Sequence, residues 1–106
     1  MLPAQCFKML SDETRIRCLL LIAREEGLCV CELTQALAES QPKISRHLAQ
    51  LRQLGLLVDK REGVRVRYSI SDELPGWFKK VIAGLKDSNC LKKQYHEDIE
   101  RLHAIK

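Results

Sequence analysis

A mainly helical domain carrying one β-hairpin is the fold class that the sequence predicts, and three observations predict it. Apolar residues recur at helical spacing through most of the chain, most cleanly as Ile44, Leu48 and Leu51 at i, i+4 and i+7. Two runs rich in apolar and β-branched residues, 56–61 and 64–70, flank the turn pair Glu62-Gly63. The length, 106 residues, suits one small domain, expected to span residues 1–106.

Residues 2–10 are expected to form a short first helix. Ser11 is expected to cap a second, with Asp12 and Glu13 as acids in its first turn. Ile16, Leu19, Leu20 and Ala23 keep the helical spacing until Gly27 stops it. Cys18 lies among these core positions as a buried, inert thiol. Residues 30–38 read as a short third helix with Leu33 and Leu37 on one face. Glu39-Ser40-Gln41-Pro42 then breaks the chain, with Ser40 suited to an N-cap and Pro42 to a first turn. The fourth helix follows and ends at Gly55.

With Ile44, Leu48 and Leu51 turned inward at 100° per residue, Arg46 points outward, flanked by Lys43 and Gln50. Ser45 and His47 take the two shoulders, His47 to touch phosphate or a neighbouring helix rather than a metal, and Gln41 lies in the first turn, the part of such a helix that reaches base edges. Helix, short polar turn and helix with a basic outer face make a helix-turn-helix. The hairpin behind it is a wing. Val64, Val66 and Tyr68 alternate with Arg65 and Arg67, and Arg61 stands on the first strand; these arginines suit phosphates or the minor groove. The expected fold is a winged helix-turn-helix, mainly α with a β-hairpin wing. Charge agrees: residues 40–68 hold seven cations and two anions, a net +5, whereas the chain as a whole is at +4. A polyanion, double-stranded DNA, is the partner such a local field fits; a merely solvated face is the alternative.

Pro75 opens the last region. Trp77, Phe78, Val81, Ile82 and Leu85 form one amphipathic stripe, and Leu91, Tyr95, Ile99 and Leu102 a second, on one helix or two. So large an apolar face in so small a domain suits either a second copy or the domain's own core. No run of about 18 apolar residues provides a membrane span. The first residues lack the basic start and apolar core of a signal peptide, so a cytoplasmic location is expected. In that compartment the five cysteines are thiols.

Cys29-Val30-Cys31 carries the remaining chemistry. Paired thiolates select soft ions. Positions i and i+2 diverge by about 200° on a helix and about 180° on a strand, so the pair grips one ion only where the backbone bends, and a helix start is the natural place. The positive end of the helix is expected to lower the thiol pKa, with Glu32 opposing it. An enzyme doing thiol–disulfide exchange is the reading from a different class. The pair lacks a strand-helix scaffold and resolving partner for that, and no acid–base pair, P-loop or nucleophile elbow is visible, so no catalytic residue is assigned.

Three segments, Leu10-Ser11-Asp12-Glu13-Thr14-Arg15, Leu28-Cys29-Val30-Cys31-Glu32-Leu33 and Ser40-Gln41-Pro42-Lys43-Ile44-Ser45-Arg46-His47-Leu48, resemble the ArsR/SmtB family of winged-helix metalloregulatory repressors, over residues 6–81. The likeness is greatest to the arsenic-responsive members. It implies a homodimer built from the first and last helices, a recognition helix over residues 41–54, and DNA contacts at Gln41, Ser45 and Arg46 supported by the wing. It also implies arsenite or antimonite as an inducer bound by Cys29 and Cys31, with no cofactor needed for DNA binding. Cadmium, lead, zinc or redox responses are the alternatives within the same fold. The arsenic-responsive pattern often has a third cysteine where this chain has Thr34. The third ligand is thus left to Cys6, Cys90, a small exogenous thiol or none. The zinc spacing of other members is not reproduced by His96 and His103. The expected switch is a distortion of the third helix that moves the recognition helix off register.

Overall fold

The computed structural model describes residues 2–25 and 27–105, with Asn89 described by its backbone alone. Helix α1 (Pro3–Met9) starts with proline at N1, where no N–H is needed. Helix α2 (Glu13–Arg24) is capped by Asp12, whose carboxylate accepts from the Arg15 amide at 3.1 Å. Ser11 was the expected cap. It instead closes α1, its hydroxyl donating to the Lys8 carbonyl at 2.6 Å. Gly27, at φ +78°, turns the chain into strand β1 (Leu28–Cys29), which leads without a loop into α3 (Val30–Leu37).

Three residues, Ala38 to Ser40, join α3 to α4 (Gln41–Leu54). Ala38 takes the left-handed conformation, φ 54°, an unusual position for a residue with a Cβ. Ser40 occupies the N-cap of α4 by backbone geometry alone, with no side-chain cap bond. Gly55, φ 89°, ends α4 in the left-handed form that glycine adopts at no cost. The wing is β2 (Leu57–Glu62) and β3 (Arg65–Ile70), joined by Gly63 and Val64. Val64 was read as a strand residue on the apolar face. It lies in the turn, fully exposed, because the register pairs Glu62 with Arg65. The short β1 adds a third strand, order β1-β3-β2, all antiparallel, with Cys29 opposite Arg67. Two helices follow, α5 (Gly76–Lys86) and α6 (Asn89–Ile105).

The core joins Leu19 to Ile22 of α2, Leu33, Ala36 and Leu37 of α3, Ile44, Leu48 and Leu51 of α4, Phe78 of α5 and Leu102 of α6. Helix α3 packs on α2, α4 and α6 together. Among the described residues no helix is long and apolar enough to cross a membrane.

A buried carboxylate fixes α6 on the end of α3. Asp98, 1% exposed, accepts from Arg17 at 2.8 and 3.0 Å, from Arg101 at 2.8 Å and from Gln94 at 3.0 Å. The same two guanidiniums donate to the Leu37 carbonyl at 2.8 Å and the Ala36 carbonyl at 2.6 Å. Those carbonyls belong to the last turn of α3, where the helix has no internal donor left. The Asp98 hydrogen bond holds the Arg17 guanidinium protonated to above its ordinary pKa, against its own burial. Asp98→Ala strands these cations and is expected to cost about 3–5 kcal/mol in a denaturant melt. Gln94→Ala removes one neutral partner and is expected to cost about 1 kcal/mol. Equal losses would show that the aspartate is not the anchor.

Candidate functional site

Cys29 is the N-cap of α3, at φ −95° and ψ 166°, and Cys31 is the second residue of the helix. The chain therefore changes from extended to helical between the two thiols. That change removes the divergence that either regular geometry would impose, and the sulfurs stand 3.0 Å apart. An ion about 2.3 Å from each sulfur allows them at most about 4.6 Å of separation, so the pair is within reach of one ion. Cys29 is buried, at 4% exposure, and Cys31 is open to solvent.

The expected lowering of the Cys29 pKa is corrected by the structure. Burial first, then the hydrogen bond with Cys31 and the side chain and charge of Glu32, push the Cys29 thiol up to about 11; a backbone hydrogen bond at Glu32 acts the other way. One N–H at a short helix's start is outweighed by desolvation and a carboxylate that bonds the Cys29 amide at 3.1 Å. Burial also raises Cys6, and Cys18 to about 12.

The auxiliary cysteines are not brought to the pair. Cys6 is buried in α1, and Cys90 is exposed on α6 beside Glu13, Lys93 and Glu97. Among the described residues no group of three His, Cys, Asp or Glu side chains is placed to hold a metal ion. His96 pairs with Glu100 at 2.9 Å on the exposed face of α6. The Thr34 hydroxyl is buried with no hydrogen-bond partner.

A cavity of about 300 Å³ separates the thiols from the wing, lined by Cys29, Val30 and Cys31 on one side and Val64, Val66 and Tyr68 on the other. Arg65 also borders it.

On α4, Gln41, Ser45 and Arg46 are exposed, and Lys43 and Gln50 are half-buried. Lys43 reaches Glu39 at 3.2 Å, and Gln50 accepts from Arg15 at 3.0 Å. His47 was expected on the shoulder of the outer face, against phosphate or a neighbouring helix, and the structure turns it inward to the neighbouring helix. It is 5% exposed, its Nδ1 3.4 Å from Arg15 Nη1 and its Nε2 3.7 Å from Asp12 Oδ1. At i+3 from Ile44 it lies about 60° from that residue, on the edge of the apolar stripe, and the start of α2 supplies its polar partners. Asp12 is buried enough to oppose ionisation, yet the Arg15 amide and the nearby His47 and Arg15 hold its pKa below the ordinary value. Arg15 also bonds the Met9 and Lys8 carbonyls at 2.8 and 3.2 Å, so one guanidinium ties α1, α2 and α4. Its role has no local periodic signal; only its place in a matched segment marked it.

On the wing, Arg61 and Arg65 are exposed. Arg67 was expected beside them on phosphates, but its guanidinium is held inward. It donates to the Gly27 carbonyl at 2.6 Å and pairs with Glu62 at 3.3 Å and Glu32 at 3.7 Å. The β1–β3 register, which the sequence reading lacked, puts it there.

The model of a bacterial regulatory protein, arsR family, matches residues 12–58. The arsenic resistance transcriptional regulator ArsR1 of Pseudomonas putida is 56% identical over 87 residues, covering 82% of this chain and 68% of the relative. The arsenical resistance operon repressor of Escherichia coli K12 is 52% identical over 82 residues, covering 77% and 70%. Among solved structures, reduced HlyU from Vibrio cholerae superposes with a TM-score of 0.72 at 31% identity, covering 82% of this chain and 87% of that one. With a thiol pair at the start of α3, a basic helix behind a three-residue turn and a wing in register, the chain belongs to the arsR family of bacterial regulatory proteins, winged helix-turn-helix transcriptional regulators rather than enzymes.

Proposed function

We propose that the chain is a repressor that binds operator DNA as a homodimer and releases it when trivalent arsenic or antimony bonds Cys29 and Cys31. The observation that carries the reading is the pair of sulfurs 3.0 Å apart at the N-cap of a helix packed on α4. The arsenic resistance relatives support the choice of inducer. Exposed Leu2 and Phe7 on the α1 side and Ile105 on α6 support a second copy.

The thiol chemistry favours a metalloid hydroxide over a divalent cation. Arsenous acid condenses with two thiols: two As–OH bonds break, two As–S bonds form, and each sulfur's proton leaves with a hydroxide as water. Arsenic stays trivalent and no net proton is released. A divalent cation needs thiolates, so it must expel the proton of a thiol whose pKa is about 11. The third arsenic bond keeps its hydroxide or takes a small exogenous thiol on the open side of Cys31. Closing the chelate distorts the first turn of α3, and α4 shifts with it. A coupling of about 1–3 kcal/mol, or roughly 5–150-fold in affinity, is typical of such links. Gln41, Ser45 and Arg46 are assigned to base edges and adjacent backbone, and Lys43, Arg61 and Arg65 to phosphates. His47 and Gln50 brace α4 through Arg15.

Replacing Cys29 or Cys31 with serine is expected to leave operator affinity within a few-fold and to abolish release by arsenite in a gel-shift titration. A double variant that still releases would place the sensor elsewhere. In calorimetry across buffers of differing ionisation heat, arsenite is expected to release no proton and cadmium at least one. Because the Cys29 pKa is raised, cadmium affinity is expected to climb with pH up to about 11, by up to roughly tenfold per unit for each proton displaced. Two protons released per arsenite would refute this account. Arg46→Ala is expected to weaken operator binding by about 1–3 kcal/mol. His47→Ala is expected to act through the melting temperature, leaving the salt dependence of binding unchanged.

A further inference from the structure

The thiol pair touches the DNA-reading apparatus by two routes, and only one runs through α3 into α4. The other is the wing. Cys29 is a strand residue as well as a helix cap, and its partner across the sheet is Arg67. The Arg67 guanidinium spans the junction: Gly27 carbonyl at 2.6 Å on the near side, Glu62 at 3.3 Å on the hairpin and Glu32 at 3.7 Å on the first turn of α3. Glu32 in turn accepts from the Cys29 amide at 3.1 Å. One carboxylate thus joins the N-cap of the sensing helix to a wing arginine. The cavity between the thiols and Val64, Arg65 and Val66 makes the wing a wall of the same space.

We infer that Arg67 is a positioning residue that transmits inducer binding to the wing, and not a phosphate contact. In the free protein the Gly27–Arg67–Glu32–Cys29 chain holds β3 in place, which sets Arg61 and Arg65 for DNA. An ion bonded to both sulfurs reshapes the first turn of α3. Glu32 is then drawn off the Cys29 amide, and its pairing with Arg67 changes. The hairpin moves because its inner strand is the one bonded to β1. Guanidinium suits this role because its fork reaches a carbonyl and two carboxylates at once. This inference rests on Cys29 and Cys31 being the inducer site.

The test combines operator binding against salt with arsenite titration of the preformed protein–DNA complex, for wild type, Arg67→Gln and Glu32→Gln. The last variant keeps an acceptor for the Cys29 amide and loses the charge facing Arg67. For both variants the slope of log affinity against log salt is expected to stay at the wild-type value, while the arsenite needed for half-release rises about tenfold. Hydrogen exchange of residues 65–70 is expected to speed up with arsenite in wild type and to be unresponsive in the variants. A slope shallower by about 0.9 in Arg67→Gln would make it a phosphate contact and overturn the inference. So would an unchanged half-release concentration. If wild type binds arsenite at the thiols and releases DNA while β3 exchange stays constant, the wing route is wrong and the thiol site stands. If wild type does not release at all, both fall.

Discussion

The change from extended to helical backbone at Cys29 is the constraint on which the rest of the molecule depends. A two-residue strand runs into a helix with no intervening loop, so one residue belongs to both. Its amide is met by Glu32, its position in the strand is fixed by β3, and its side chain faces Cys31. Regular secondary structure would separate two thiols at this spacing. The junction brings them together before any ion arrives, so coordination need not first unfold the segment. What coordination would change, on the proposed reading, is a set of hydrogen bonds already in place.

Helix α3 is held at both ends by charged groups and along its length by apolar ones. At its start, Glu32 and Arg67 tie it to the hairpin; at its finish, Arg17 and Arg101, aligned by Asp98, take its open carbonyls. Between them Leu33, Ala36 and Leu37 are buried against α2, α4 and α6. Close-packed interiors transmit displacement because they do not compress. Under the proposed switch, a displacement at the start of an eight-residue helix gripped in this way is carried to its end. The left-handed Ala38 opens a three-residue turn that joins this end directly to α4.

Much of this was legible in the sequence, and the exceptions share a cause. Ile44, Leu48 and Leu51 announce the recognition helix because helical spacing is a local property, and Gly55 announces its end. The hairpin follows from its alternation, with the turn displaced by one residue so that Val64 leaves the strand. The split of the C-terminal region into α5 and α6 stayed open because Asp87-Ser88-Asn89 permits either outcome. Strand β1 was missed because two residues carry no period, and the inward turn of Arg67 was missed with it. Asp98 and Arg17 are 81 positions apart, and Arg15 and Gln50 35 apart, so no window of sequence joins them. The thiol pair was singled out by the segment that holds it, since neither regular geometry brings two residues at that spacing together. Its protonation was not legible, because that depends on how deeply Cys29 is buried.

Cys29 serves α3 as its N-cap, and capping is a task that serine, threonine, asparagine and aspartate perform better than cysteine. Cys31 is open to solvent, so no core contact requires sulfur there. On the proposed reading, exchanging Cys29 for a better cap would remove inducer binding and leave the DNA-reading helix α4 in place.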